Sequence, residues 1–176
     1  MLDPTGRVIL ISGANRGIGR AVAQVLHTAG YALSLGGRDL DSLKAMSAGW
    51  DRDRVHIARY DARDWASHRS WVDAAVARFG RIDGLVNNAG MHASMTLRAP
   101  AEAELDAIWA VNCKGPLSLI HCALPHLEAS GAGRIVNIAS MSGKRVRNDH
   151  VAYNMSKHAM LALTHAARRI SWDKGV

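Results

Sequence analysis

Between Ser12 and Gly19 the chain reads Ser-Gly-Ala-Asn-Arg-Gly-Ile-Gly, and no other stretch restricts the possible folds as strongly. The residues before it, Val8-Ile9-Leu10-Ile11, form a continuous apolar run of strand length, the pattern of a strand covered on both faces. After it, Ile18, Ala21, Val22, Val25, Leu26 and Ala29 recur at helical spacing. A strand therefore enters the turn and a helix leaves it. In that setting Gly13 permits a tight turn, Gly17 lets a ligand approach the backbone, and Gly19 allows close packing of helix on strand. The unpaired N–H groups at the helix start suit an anion. Glycines alone are equally compatible with an ordinary strand-to-helix turn; the flanking strand and helix point to a dinucleotide site.

The 176 residues suit one domain with a buried core. No apolar run of about 18 residues occurs, and the first strand begins near Arg7, which predicts a cytoplasmic protein without leader or membrane span. Cys113 and Cys122 lie among apolar residues and read as packing thiols, and the nine histidines show no metal-ligand spacing, so no metal site is expected. The +7 charge is spread along the chain, with Lys144-Arg145-Val146-Arg147 and Arg168-Arg169 as small clusters. A nucleic-acid partner would rest on charge alone and is not expected.

Strand and helix then alternate. Strands are predicted at Tyr31–Leu35, Val55–Tyr60, Asp83–Asn88 and Arg134–Ser140, and helices near Leu40–Ala48, around His68–Phe79, through Ala101–Ser130 with a kink or break near Gly115-Pro116 and Pro125, and over Val151–Trp172. This is an α/β chain with a Rossmann-like, doubly wound parallel sheet, whose ligands collect at the carboxyl ends of the strands. At the end of the second strand, where NAD-preferring folds place an acidic residue, stands Arg38, followed by Asp39. A guanidinium there pairs with a 2′-phosphate, and Arg16 adds a second positive charge, so NADP is expected over NAD. The alternative is a solvated Arg38 and an Asp39 that caps the next helix.

Tyr153 and Lys157 are one helical turn apart and share a face. A phenol has a pKa of about 10 and a neighbouring ammonium favours its anion, which suits acid–base chemistry, although such a pair is also a common exposed feature of helices. Ser140, closing the adjacent strand, can reach the same oxygen or serve as a cap.

In their order, the Ser12–Gly19 turn, Arg38, Asp61, Asn87-Asn88-Ala89-Gly90, Asn112, Ser140 and Tyr153-Asn154-Met155-Ser156-Lys157 resemble the short-chain dehydrogenase/reductase family, and the resemblance runs through nearly the whole chain. It implies an oxidoreductase exchanging a hydride between a nicotinamide and a ketone or secondary alcohol. Tyr153 is then the proton donor and acceptor, Ser140 orients the substrate oxygen, Lys157 favours the phenolate and binds ribose, and Asn112 supports a proton-relay water. Cofactor contacts are implied for Ser12, Gly13, Asn15, Arg16, Gly17, Ile18 and Gly19 in the turn, for Arg38, for Asp61 and Ala62 after the third strand, for Asn88, Ala89 and Gly90 after the fourth, and for Tyr153 and Lys157. Family members continue past the Tyr/Lys helix into further strands and a substrate-covering segment, whereas this chain stops at Val176, so a longer natural protein is expected. A homo-oligomer, dimer or tetramer, is implied, with the long helices as contact surfaces. The competing reading is a nucleotide-binding sensor or structural protein that keeps the fold without turnover.

Overall fold

The structure, a computed structural model, describes residues 3–176. Five parallel strands, β1 (Val8–Ser12), β2 (Ala32–Gly37), β3 (Val55–Arg59), β4 (Gly84–Asn87) and β5 (Arg134–Asn137), lie in the order β3-β2-β1-β4-β5. The connecting helices are α1 (Gly17–Thr28), α2 (Leu40–Met46), α3 (Trp65–Phe79), α4 (Glu102–Trp109), α5 (Gly115–Ala129) and α6 (Val151–Ser171). The strand order reverses direction at β1, so a crevice opens between the ends of β1 and β4.

Successive side chains of β1 point to opposite faces, and both faces are covered. Val8 and Leu10 join a cluster with Trp71, Leu85, Leu119 and Leu127 on the α3–α5 side. Ile11 joins Leu33, Leu35, Leu43 and Val86 on the α1–α2 side. That double burial is why these strands read as continuous apolar runs and not as alternating ones. Trp71 lies across β2 because Gly36 has no side chain: a Cβ there would come within 2.6 Å of the indole. The buried indole N–H donates to Ser34 Oγ at 2.8 Å, and that hydroxyl also meets His56 Nδ1 at 2.9 Å.

Local signals set the element ends. Asp64 Oδ1 accepts from the Ala66 N–H at 3.0 Å to start α3, and Gly80, at φ 78°, ends it in the left-handed conformation. Two expectations take a more definite form. Of the kink or break expected near Gly115-Pro116, the structure shows no break but a π-helical turn over Ala110–Lys114 that joins α4 to α5 without a loop, and Pro125 is accommodated inside α5. β5 stops at Asn137, earlier than the expected Ser140, because Ser140 instead opens a short 3-10 turn over Met141–Gly143. Among the described residues β5 is an edge strand with Val136 half exposed, and at the far end of α6 Ile170 is exposed while Met160 is buried.

Candidate active site

The glycine turn is built from beneath. Gly13 and Gly17 take φ values of 65° and 55°, which L side chains rarely adopt. A Cβ on Gly19 would overlap the Gly13 carbonyl oxygen and the Asn88 amide. Asn88 Nδ2 donates to the carbonyls of Ser12 and Gly13, both at 3.0 Å. Ser12 Oγ in turn accepts from the N–H groups of Asn88 and Ala89, each at 3.0 Å. Ser12, almost fully buried, and Asn88 were both expected at the cofactor; Ser12 Oγ and Asn88 Nδ2 are occupied in stitching β1 to β4, so these atoms shape the turn from within.

Above this support the turn is open. Nothing lies within 4 Å of a Cβ built on Gly17, Ile18 is exposed, α1 has no capping side chain, and no acidic residue occupies its first turn. An uncapped, acid-free helix start fits a pyrophosphate. Asn15 sits beside the end of β2, its Oδ1 3.9 Å from the position of a Cβ on Gly37.

At the tip of β2 the two neighbouring charges have separate fates. Asp39 Oδ1 accepts from the Ser42 N–H at 3.0 Å and caps α2. Arg38 and Arg16 are exposed and make no side-chain hydrogen bond or ion pair among the described residues. At the end of β3, the Asp61 carbonyl meets Ser67 Oγ and His68 Nε2 at 3.1 and 2.9 Å, and the Asp61 carboxylate accepts from the Arg63 N–H. Ala62 packs against Gly115, where a Cβ would come within 3.0 Å.

Lys157 stands at the centre of the polar residues of α6. It is 8% exposed, its ammonium donates to the Ile138 carbonyl at 2.8 Å, and its Nζ lies 5.8 Å from the centre of the Tyr153 ring. Burial holds its pKa below the usual lysine value, with only a small opposing influence from Cys113. Burial also pushes the Cys113 thiol up to about 11, so this cysteine is a packing group. The loop carrying Ser140 reaches α6 because Gly143 has no side chain; a Cβ there would be 2.6 Å from the Lys157 carbonyl oxygen. Ser140 Oγ accepts from the Ser142 N–H at 3.1 Å, and no hydrogen bond joins it to Tyr153.

Asn112, in the π-turn, is buried and its amide is engaged by protein groups: Oδ1 accepts from the Met91 N–H, and Nδ2 donates to the Met91 carbonyl and to Ser156 Oγ. Ser156 Oγ donates to the Tyr153 carbonyl at 2.8 Å. Ser156 is a site-supporting residue that sequence reasoning did not single out, as are His92 and His150. His92 Nε2 and His150 Nδ1 are 3.0 Å apart, and the His92 ring lies 4.8 Å from that of Tyr153. Their nearness to Gly90 and to Tyr153 in the chain was the available signal.

Fold and site together define a dinucleotide-binding α/β protein with a buried lysine beside a tyrosine at the carboxyl edge of its sheet. The short chain dehydrogenase family profile matches residues 7–176, and the chain belongs to that family. It is 47% identical to an agropine synthesis reductase of Rhizobium rhizogenes over 168 residues, which cover 95% of this chain and 39% of that protein. The chain thus spans about two-fifths of the length of that relative. A Thermococcus sibiricus alcohol dehydrogenase complexed with 5-hydroxy-NADP superposes with a TM-score of 0.90 at 29% identity, covering 95% of this chain and 72% of that one. A metagenomic short-chain oxidoreductase in complex with NADP gives 0.89 at 32% identity, covering 98% and 80%.

Proposed function

We propose that this chain is the cofactor-binding and catalytic part of an NADP(H)-dependent oxidoreductase acting on a ketone or secondary alcohol. The observation that carries the reading is the buried Lys157, tied to Ile138 and set beside Tyr153, at the sheet edge that also holds the open glycine turn.

The residues fit the dinucleotide. Gly13, Gly17, Ile18 and Gly19 offer the pyrophosphate an uncapped helix start, Arg38 and Arg16 offer a 2′-phosphate two unpaired guanidinium groups, and Asp61 and Ala62 border the adenine side. Lys157 and Tyr153 would hold the ribose next to the nicotinamide. When bound, the nicotinamide supplies or accepts the hydride.

The protein's own part is the proton. For reduction, the Tyr153 hydroxyl donates its proton to the substrate oxygen, and the Lys157 ammonium stabilises the phenolate left behind. Ser140 donates a hydrogen bond to the same substrate oxygen, which requires its hydroxyl hydrogen to turn toward the cleft while its lone pair still caps Ser142. Asn112 contributes by holding Met91, and so the loop after β4, against α6. The similarity to an agropine synthesis reductase and to structures that hold NADP or 5-hydroxy-NADP supports reduction with NADPH as the direction. The α4–α5 and α6 surfaces, with exposed Leu117 and Met155, support a homo-oligomer.

The test is turnover by the full-length protein on a panel of ketones with NADPH. Tyr153→Phe should reduce kcat by about 10²- to 10⁴-fold while NADPH binding persists. Substantial turnover by that variant would remove Tyr153 from the mechanism. NADPH binding without turnover by the wild type on any carbonyl would favour the sensor reading.

A further inference from the structure

Tyr153, half-buried, lies in the first turn of α6, the turn most prone to fray, and the side chain of His150 at the N-cap position makes no capping bond to the helix backbone. A proton donor on a fraying turn would be poorly aimed. Asn154 Nδ2 ties this turn to Asn148 in the preceding loop, and the remaining support comes from the loop after β4.

That loop is itself firmly fixed. Asn112 brackets Met91 through both backbone groups at 2.9 Å, and Glu104 Oε1 accepts from the N–H groups of Ser94 and Met95. Met91, Ala93 and Met95 pack with Ile108, Ala152 and Tyr153. From this rail two links reach α6. The Met95 carbonyl accepts from the Val151 N–H at 2.9 Å, which satisfies one of the helix's unpaired donors. His92 Nε2 and His150 Nδ1 form the other link at 3.0 Å, their rings nearly perpendicular at 83°. The His92 ring then lies along Tyr153 at 4.8 Å and an angle of 38°, a distance at which aromatic rings attract and restrict one another's rotation.

We propose that His92 and His150 form an imidazole clasp that positions Tyr153: the pair joins the loop after β4 to the first turn of α6, and the His92 ring sets the angle of the phenol. Both act through Tyr153 and neither gives nor takes the reacting proton. The nitrogen-to-nitrogen bond requires one ring to donate and the other to accept, so the clasp exists only while at least one imidazole is neutral. Asp149, 4.0 Å from His150 Nε2, is the one carboxylate beside the pair among the described residues. This inference rests on Tyr153 being the acid–base group.

The experiment uses the full-length protein with NADPH and an accepted ketone, and compares wild type with His92→Ala, His150→Ala and His92→Phe. A positioning role predicts that His92→Ala lowers kcat about 10- to 100-fold with the Kd for NADPH unchanged, and that His92→Phe, which keeps a flat ring against Tyr153, recovers part of the loss. His150→Ala should fall between wild type and His92→Ala. In parallel, NMR of ring-labelled tyrosine should show the Tyr153 resonances moving in His92→Ala, because the neighbouring ring current is lost. Unmoved Tyr153 resonances would mean that the rings do not touch in solution and would overturn the clasp. So would shifted resonances with wild-type kcat, or an equal fall in NADPH affinity and kcat that His92→Phe does not relieve. If the wild type reduces no carbonyl, the oxidoreductase reading fails and the clasp falls with it. An active wild type with an equally active His92→Ala sinks the clasp alone.

Discussion

Asn112 pairs with the backbone of Met91 as a strand neighbour would: Oδ1 accepts from the Met91 N–H and Nδ2 donates to the Met91 carbonyl, both at 2.9 Å. One side-chain amide therefore supplies two ladder bonds to a segment that has no strand beside it. The π-turn over Ala110–Lys114 carries this residue, and such turns commonly mark functional positions.

Removing that amide should be costly. Asn112→Ala leaves the part-buried Met91 N–H and carbonyl unpaired and takes one partner from Ser156 Oγ, and each such group costs about 1–3 kcal/mol. A loss of about 2–4 kcal/mol in urea denaturation is expected, with kcat falling as the loop loosens. A variant as stable as wild type would show that water replaces the amide.

Gly19→Ala should damage the cofactor site through sterics alone. The new methyl would overlap the Gly13 carbonyl and the Asn88 amide, both parts of the brace beneath the turn. Overpacking of this kind costs about 1–3 kcal/mol, and NADPH affinity should fall more than tenfold because the turn itself must shift. Calorimetric titration with NADPH gives the answer directly; unchanged affinity would place the phosphates elsewhere.

Arg38→Asp should invert cofactor choice. Asp39 is committed to the cap of α2, so Arg38 is the nearer free charge at the tip of β2. Losing a charge-assisted bond and gaining a like charge should weaken NADPH about 10- to 100-fold while NADH binding improves. Equal affinities for both cofactors in wild type and variant would exclude this arginine from the site.

His68 should make the fold acid-sensitive. It is fully buried, with Nδ1 2.9 Å from Ser118 Oγ and Nε2 2.9 Å from the Asp61 carbonyl. Because that carbonyl only accepts, Nε2 carries the proton and Nδ1 accepts from Ser118. Burial lowers its pKa below the usual 6.5, and burial shifts His56 and His27 the same way. As pH falls through that usual value the unfolded chain takes up protons that the native state refuses, so stability declines from there down to the lowered native pKa and is independent of this residue above the window. Urea midpoints between about pH 7.5 and 5 should fall less steeply in His68→Gln than in wild type. Equal slopes would mean that His68 does not control this range.

Much of this architecture was readable from local rules. The five predicted helical regions and five strands appear in order because each signal is carried by neighbours in the chain: the apolar run at Val8–Ile11, the glycines of the turn, Gly80 at the end of α3. Arg38 against Asp39 was legible as two alternatives, and the cap on α2 shows what Asp39 does. The π-turn was not legible. Gly115-Pro116 signalled an interruption, but whether the helix breaks or winds wider depends on Ala62 lying against Gly115 and on the pull of Met91 on Asn112, contacts made across distant segments.

What the sequence determined by itself is the class of fold, the position of the glycine turn, and the residues that share the Tyr153 and Lys157 face of α6, since all of these follow from periodicity and backbone stereochemistry within a few residues. Tertiary structure decided which polar atoms remain available. Ser12, Asn88 and Asn112 carry side chains suited to a ligand, yet Ser12 Oγ, Asn88 Nδ2 and Asn112 Oδ1 are engaged by partners 76, 75 and 21 residues away. Tertiary structure also brought His92 and His150 together from 58 positions apart. A hydrogen bond is satisfied by whatever group the fold brings within 3 Å, and spacing along the chain carries no record of that.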